Sequence, residues 1–77
     1  MASTPITIPI QTEDDEAELC DWLAPDGSLV AGGQPVAEVS TAKVIVEVLS
    51  PASGRLYQRV AIGALIEVGG IIGTVDT

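Results

Sequence analysis

Glycines and aliphatic residues recur 36 positions apart along this 77-residue chain. An offset of 37 extends the match upstream, where it pairs Leu19 with Leu56 and Leu23 with Val60. Further back, Ile8 and Ile10 resemble Val46 and Val48. The recurrence predicts one domain over residues 1–77, built from two similar halves at about 5–41 and 44–77. The pairs at offset 36 are Gly27/Gly63, Leu29/Leu65, Val30/Ile66, Gly33/Gly69, Val36/Ile72 and Val39/Val75.

Short apolar segments separated by turn residues predict four strands in each half. Alternation is clearest over 44–49 and 6–10, and no segment keeps a helical period. The predicted fold is therefore all-β: two four-stranded antiparallel sheets with pseudo-twofold symmetry, packed as a flattened barrel or sandwich, the barrel-sandwich hybrid. The strands are expected near 6–10, 18–23, 28–30, 35–41, 44–49, 54–60, 64–66 and 71–75.

Proline and glycine add local expectations. Pro9 has no amide hydrogen for a ladder, so the first strand is expected at a sheet edge or beside a bulge. Gly27, Gly54 and Gly63 are expected to serve turns that need a positive φ, which makes them structural glycines.

Charge and composition exclude several classes of function. The formal net charge is −8, and three basic residues cannot neutralise a nucleic-acid backbone or bind an anionic membrane. No apolar run is long enough to span a bilayer, and the N-terminus lacks the pattern of a signal peptide. With no histidine and one cysteine, neither a disulfide, the usual zinc ligand set nor an activated nucleophile is available. We therefore expect a soluble intracellular domain that is monomeric in isolation and holds no metal.

Lys43 is the only lysine in the chain. It lies at the junction of the two halves, in the tight connection Thr41-Ala42-Lys43-Val44. If the halves are related by a twofold axis, the equivalent position is where the two chain ends meet. Lys43 is then expected to project at one end of the domain, with both termini near the other.

The residues around Lys43 resemble the lipoyl domains of 2-oxo acid dehydrogenase complexes, relatives of the biotinyl carrier domains. The connection 41–44 resembles the family's Thr-Asp-Lys-Ala turn, with Ala42 and Val44 in place of Asp and Ala and with Ser40 where the family often has Glu. Residues 47–54 resemble its Glu-Val-x-Ser-Pro-x-x-Gly segment, and 63–69 its Gly-Asp-x-Val-x-x-Gly turn. Residues 16–23, with Trp22, are similar to its second strand.

The resemblance implies a non-catalytic carrier whose cofactor is (R)-lipoate, covalently attached to Lys43. Thr41, Ala42 and Val44 would support the turn that presents the lysine. The acidic residues Glu13, Asp14, Asp15 and Glu16 would help a partner recognise the carrier.

The implied partners are a lipoate ligase or lipoyl transferase, the thiamin-dependent E1 decarboxylase, the E2 acyltransferase domain and the E3 dihydrolipoamide dehydrogenase. The chain would be the N-terminal domain of a dihydrolipoyl acyltransferase. It would work in a bacterial cytoplasm or, in a eukaryote, in the mitochondrial matrix.

Two alternatives remain open at this point. The biotinyl relatives flank their lysine with methionine on both sides, whereas the one methionine here is Met1, so biotin is disfavoured against lipoate. An unmodified β-domain used only for protein–protein contact is the other alternative, in which Lys43 is a solvated turn residue that blunts a sheet edge.

Overall fold

The structure is a computed structural model that describes residues 2–9 and 16–77. These residues form eight strands and no helix, and none of them belongs to a helix that could span a membrane. The prediction of an all-β fold is confirmed. The strands are β1 (Ser3–Thr7), β2 (Glu16–Trp22), β3 (Leu29–Val30), β4 (Pro35–Ser40), β5 (Ile45–Leu49), β6 (Gly54–Gln58), β7 (Leu65–Glu67) and β8 (Ile71–Asp76).

Two four-stranded antiparallel sheets make up the fold. Sheet A has the strand order β1-β8-β6-β3, and sheet B has the order β5-β4-β2-β7. Exchanging β1–β4 for β5–β8 converts one order into the other, so each half of the chain contributes two strands to each sheet. The twofold relation expected from the repeat is therefore present in the strand pairing.

Backbone hydrogen bonds show the same symmetry. The Gly27 amide donates to the Leu56 carbonyl, and the Gly63 amide donates to the Leu19 carbonyl, both over 2.7 Å. The two donor glycines are 36 residues apart and the two acceptor leucines are 37 residues apart, which are the offsets found in the sequence. Gly27, Gly33, Gly63 and Gly69 all have positive φ, from 81° to 94°, so both members of each glycine pair provide the same left-handed turn.

The first strands of the two halves, β1 and β5, match each other at a different offset from the one that the sequence predicts. Ile6 pairs with Gly73 and Val48 pairs with Ala37, so Ile6 matches Val48 at an offset of 42. The expected match of Ile8 with Val46 is therefore wrong, and Ile10, the predicted match of Val48, lies outside the described residues. The reason is that eight residues separate β1 from β2 whereas four separate β5 from β6, and this difference in length cannot be read from the apolar pattern.

The start of β1 also shifts. The strand runs from Ser3 to Thr7, so Pro9 lies beyond its end, and Pro5 is the proline within it. Proline is tolerated there because β1 is an edge strand, and the register breaks between Ile6 and Thr7. The expectation of an edge strand with an irregularity is confirmed, although Pro5 rather than Pro9 lies in the ladder.

The core lies between the inner faces of the two sheets; its fully buried hydrophobic side chains, among the described residues, are aliphatic, and Trp22 packs against them partly buried. Ser50 is the buried polar side chain among the described residues, and its hydroxyl donates to the Ala52 carbonyl over 2.6 Å. Valine and isoleucine suit this core because they are stiff at χ1 and pack well on a pleated surface. The largest side chains in the core are Ile6, Ile8, Leu19, Leu56, Ile72, Val36, Val39, Val48 and Val75.

Gly54 is a structural glycine for a different reason from the one expected. Its φ is not positive; instead, a Cβ at this position would collide with the Asp76 carbonyl and come within 3.2 Å of Val75 Cγ1. The absence of a side chain therefore allows β6 to begin directly against the end of β8. Gly73 is similar, since a Cβ there would lie 2.5 Å from the Tyr57 carbonyl oxygen.

Candidate functional site

Lys43 lies on the hairpin that joins β4 to β5. The ladder closes at the pair Ser40–Ile45, and the Thr41 amide donates to the Val44 carbonyl over 2.9 Å. Ala42, Lys43 and Val44 are all exposed, whereas Thr41 is half-buried. The hairpin therefore presents the lysine on a short connection whose two ends are joined by the sheet.

Thr41 organises the turn through its hydroxyl. The oxygen accepts hydrogen bonds from the Lys43 amide at 3.3 Å and the Val44 amide at 3.2 Å, and its hydrogen is directed to the Val44 carbonyl at 3.3 Å. A threonine side chain that bonds the backbone two and three residues ahead replaces ladder bonds that the turn cannot make. Ala42 and Val44 contribute differently, because they place small or apolar side chains on either side of the lysine.

The two chain ends repeat this arrangement. The Thr77 amide donates to the Ala2 carbonyl over 2.9 Å, and the Thr77 hydroxyl reaches the same carbonyl at 3.3 Å. Thr77 is equivalent to Thr41 and Ala2 to Val44, so the termini meet at the twofold counterpart of the lysine turn. An open cavity of about 260 Å³ lies between the C-terminal parts of β1 and β5 and is lined by Thr7, Pro9 and residues 47–49.

The start of β2 lies beside the lysine turn. Glu18 is paired directly with Ser40, and the antiparallel register places Glu16, two residues earlier, level with the turn. Glu16 is exposed. The other acidic residues predicted for partner recognition, Glu13, Asp14 and Asp15, lie outside the described residues.

Sheet B carries acidic side chains across its outer face, a feature that the sequence analysis missed. Three like-charged pairs lie directly opposite each other across the described strands, namely Glu16 with Glu67, Glu38 with Glu47 and Asp21 with Glu38. The alternation of acidic and apolar residues along each strand is the signal that could have identified this face. Its described acidic residues are Glu16, Glu18, Asp21, Glu38, Glu47 and Glu67.

The outer face of sheet A is different. Its described strand residues include one acid, Asp76, which is paired with Arg55. The guanidinium of Arg55 also donates to the Gly27 carbonyl. The two sheets therefore have the same strand arrangement but carry different charges on their described outer faces, and the excess of negative charge is on the sheet that carries Lys43.

The remaining conspicuous side chains have structural roles. The Trp22 indole donates to the Val60 carbonyl over 3.1 Å, and a Cβ built at Gly73 would lie 3.4 Å from its ring. Cys20 occupies the irregularity in β2 between Leu19 and Asp21, and its thiol faces the Glu18 carbonyl at 3.7 Å. Within residues 2–9 and 16–77, no three potential metal ligands are grouped together.

Comparison with known proteins identifies the family. The Biotin_lipoyl family model, described as "Biotin-requiring enzyme", matches residues 4–75, which is almost the entire chain. The chain belongs to the biotin/lipoyl attachment family. The resemblance seen around Lys43 is thereby confirmed, and the matched region includes both halves of the fold.

One relative in this family has a name that states its activity. The chain is 37% identical over 76 residues to the dihydrolipoyllysine-residue succinyltransferase component of a 2-oxoglutarate dehydrogenase complex from Bartonella vinsonii subsp. berkhoffii. The match covers 96% of this chain and 18% of that protein. The similarity is therefore to one domain-sized part of a much longer acyltransferase component.

Proposed function

We propose that this chain is a lipoyl carrier domain and that (R)-lipoate is attached to Lys43 through an amide. The observation that carries the proposal is the position of the chain's only lysine: exposed, on a hairpin organised by Thr41, in a domain of the biotin/lipoyl family. A turn lysine elsewhere in the sequence would offer an attaching enzyme a second target, and this chain has none.

Lipoate is favoured over biotin by the relative and by the turn itself. The relative's name specifies a dihydrolipoyllysine residue. On either side of Lys43 the chain has Ala42 and Val44, not the methionines of the biotinyl relatives.

The chemistry of attachment requires a primary amine that an enzyme can reach. The Lys43 Nζ, in its neutral form, bonds to the carbonyl carbon of an activated lipoyl ester; the leaving group departs with the electron pair of the broken bond, and the nitrogen releases a proton. The product amide is uncharged, so the formal net charge of the chain changes from −8 to −9. The exposed hairpin suits this reaction because the amine is presented on a backbone whose freedom is already restricted.

When attached, the lipoyl group supplies a cyclic disulfide that accepts an acyl group and electrons, and the protein provides its placement. Thr41 holds the turn, and β4 and β5 connect the turn to the sheet. The chain ends lie at the symmetry-related position, so a longer parent protein can tether the domain there without covering Lys43. Tethering raises the effective concentration of the carrier at each partner.

We place this carrier in a 2-oxo acid dehydrogenase complex, as the non-catalytic domain of a dihydrolipoyl acyltransferase. Its partners there are the thiamin-dependent decarboxylase, the acyltransferase domain and dihydrolipoamide dehydrogenase. Because the relative belongs to a 2-oxoglutarate dehydrogenase complex, 2-oxoglutarate is the substrate to test first. The compartment proposed is the bacterial cytoplasm or the mitochondrial matrix.

Mass spectrometry of the intact chain tests the proposal. The chain is coexpressed with a lipoate ligase and lipoate, and separately with a biotin ligase and biotin. We expect one lipoyl increment in the first sample and none in the second, with Lys43→Arg unmodified in both. A biotinyl increment would instead assign a carboxyl carrier, and an unmodified chain in both samples would support a simple interaction domain.

A further inference from the structure

One cross-strand row on the outer face of sheet B lies next to Lys43. It consists of Ile45, Ser40, Glu18 and Leu65, one residue from each strand of the sheet, paired directly from neighbour to neighbour. We name these four residues the lysine-end row. Ile45 and Leu65 are each 68% exposed, so two large aliphatic side chains face solvent at its ends.

The lysine-end row is long enough to contact the surface of another folded protein at two separate points. Adjacent strands lie about 4.8 Å apart, so three spacings separate Ile45 from Leu65 by roughly 14 Å. Between the aliphatic ends lie a hydroxyl and a carboxylate, and Glu16 and Glu67 are paired on the same face beside Glu18. A complementary surface would have apolar contacts at two points and basic side chains between and beside them.

The other end of the molecule carries a counterpart with different chemistry. The equivalent row on sheet A is Ser3, Asp76, Arg55 and Leu29, again one residue from each strand. It has an aliphatic side chain at one end only, and its two central residues, Asp76 and Arg55, carry opposite charges. The strand pairing at the two ends is alike, so the side chains of the lysine-end row, together with Lys43 itself, distinguish this end from the other.

We infer that the lysine-end row is the docking surface for the enzyme that attaches the lipoyl group to Lys43, through a basic and apolar rim around that enzyme's active site. This inference rests on the proposed carrier function. The attaching enzyme is the favoured occupant because it must bring the Lys43 nitrogen itself to its reaction centre. A partner that acts on the lipoyl group meets the end of a longer arm and can remain further from the sheet. Ile45 is two residues from Lys43, so the row is continuous with the surface that the attaching enzyme must contact.

Leu65 and Leu29 provide a matched test. They are symmetry equivalents on short edge strands and are 68% and 72% exposed, so replacement by serine removes the same amount of aliphatic surface at the two ends. The initial rate of attachment to Lys43, with lipoate ligase limiting and carrier below saturation, is measured for Leu65→Ser, Leu29→Ser and the unchanged chain. Ile45→Thr, which keeps a β-branched residue in the strand, is the second variant at the lysine end. Circular dichroism and thermal unfolding verify that all variants are folded.

We expect Leu65→Ser and Ile45→Thr to lower the attachment rate by about tenfold, as the loss of a buried aliphatic contact implies, and Leu29→Ser to leave it within about twofold. The rate for the unchanged chain should also fall as salt is raised, because the acidic face accelerates encounter with a basic rim.

Equal rates for Leu65→Ser and Leu29→Ser would overturn the inference while leaving the carrier function intact. A defect confined to reductive acylation of lipoylated Leu65→Ser by the decarboxylase would assign the row to that enzyme and overturn the inference as stated. No attachment to the unchanged chain would contradict the carrier function itself.

Discussion

Thr41 shows how a single hydroxyl can organise a modification site. Its oxygen accepts from two successive amides, including that of Lys43, and its hydrogen is directed to the Val44 carbonyl. Without it, two amides at the tip of the hairpin would have water as their partner. The threonine therefore acts on Lys43 by positioning the backbone.

Replacing Thr41 with valine tests this role. Valine keeps the β-branch and removes the hydroxyl, so we expect the free energy of unfolding to fall by about 1 kcal/mol and the Lys43 and Val44 amides to exchange faster with solvent. Urea denaturation and hydrogen exchange measured by NMR give the two results. Thr41→Ser retains the hydroxyl and should remain close to the unchanged chain; if valine leaves stability and exchange unaltered, the hydroxyl does not organise the turn.

Glycines 27 and 54 are both structural, for opposite reasons. Gly27 has a φ of 81° and open space around its missing Cβ, whereas Gly54 has no such φ and its missing Cβ would meet the backbone of Asp76. The first requires an unusual backbone conformation, and the second requires an absent side chain.

Substitutions at the two glycines should therefore differ in size. Gly27→Ala should cost about 1 kcal/mol from backbone strain alone, and Gly27→Asn should cost less because asparagine tolerates this conformation. Gly54→Ala should cost more than about 2 kcal/mol because two backbone segments must separate. Denaturant unfolding of the three variants checks the order, and equal costs for the two alanine variants would contradict the distinction.

At the scale of the strand, repulsion between acidic side chains on the outer face of sheet B lowers the stability of the fold. Glu38 and Glu47 are directly opposite on β4 and β5, and like charges in this position are unfavourable. No such pair exists among the described pairs of sheet A, where Arg55 faces Asp76. The same backbone thus tolerates a repulsive surface on one sheet, which is consistent with a role for negative charge near Lys43.

Reversing one charge should stabilise the domain. Glu47→Lys converts a repulsive cross-strand pair into an attractive one and should raise the free energy of unfolding by about 0.5 kcal/mol at low salt. The gain should shrink at high salt because exposed charges are screened. Thermal unfolding at two salt concentrations measures both effects, with Glu47→Gln as the control that removes the repulsion without adding an attraction. A destabilised lysine variant at low salt would show that repulsion between Glu38 and Glu47 is unimportant.

At the scale of the whole molecule, the two halves of the chain are interleaved in both sheets. Each sheet combines two strands from the first half with two from the second, so neither half can form a complete sheet alone. Both halves also contribute to the same core, through residues such as Leu19 and Leu56. We therefore expect the repeat to describe the geometry of the chain without defining two folding units.

Fragments divided at the lysine turn test this interdependence. We expect peptides 1–42 and 43–77 to be unfolded separately, because each leaves its inner apolar face uncovered, and to recover the β-sheet signal when mixed. Far-UV circular dichroism and the dispersion of NMR amide signals provide the readout. A single fragment with native-like dispersion would show that half of the core is sufficient for folding.

The type of fold and the identity of the candidate site follow from the amino-acid sequence alone. Alternating apolar residues, paired glycines and a recurrence at 36 residues were enough to predict eight strands in two related sheets, because side-chain period and turn chemistry are local properties. The candidate site could be identified for the same reason, because a single lysine in the turn between the halves is also a local feature of the sequence. The match of β1 to β5, the reason that Gly54 has no side chain, and the row of residues next to Lys43 become visible only in the folded structure. These depend on strand register and on close approach between distant segments, which arise from packing and cannot be read from local sequence.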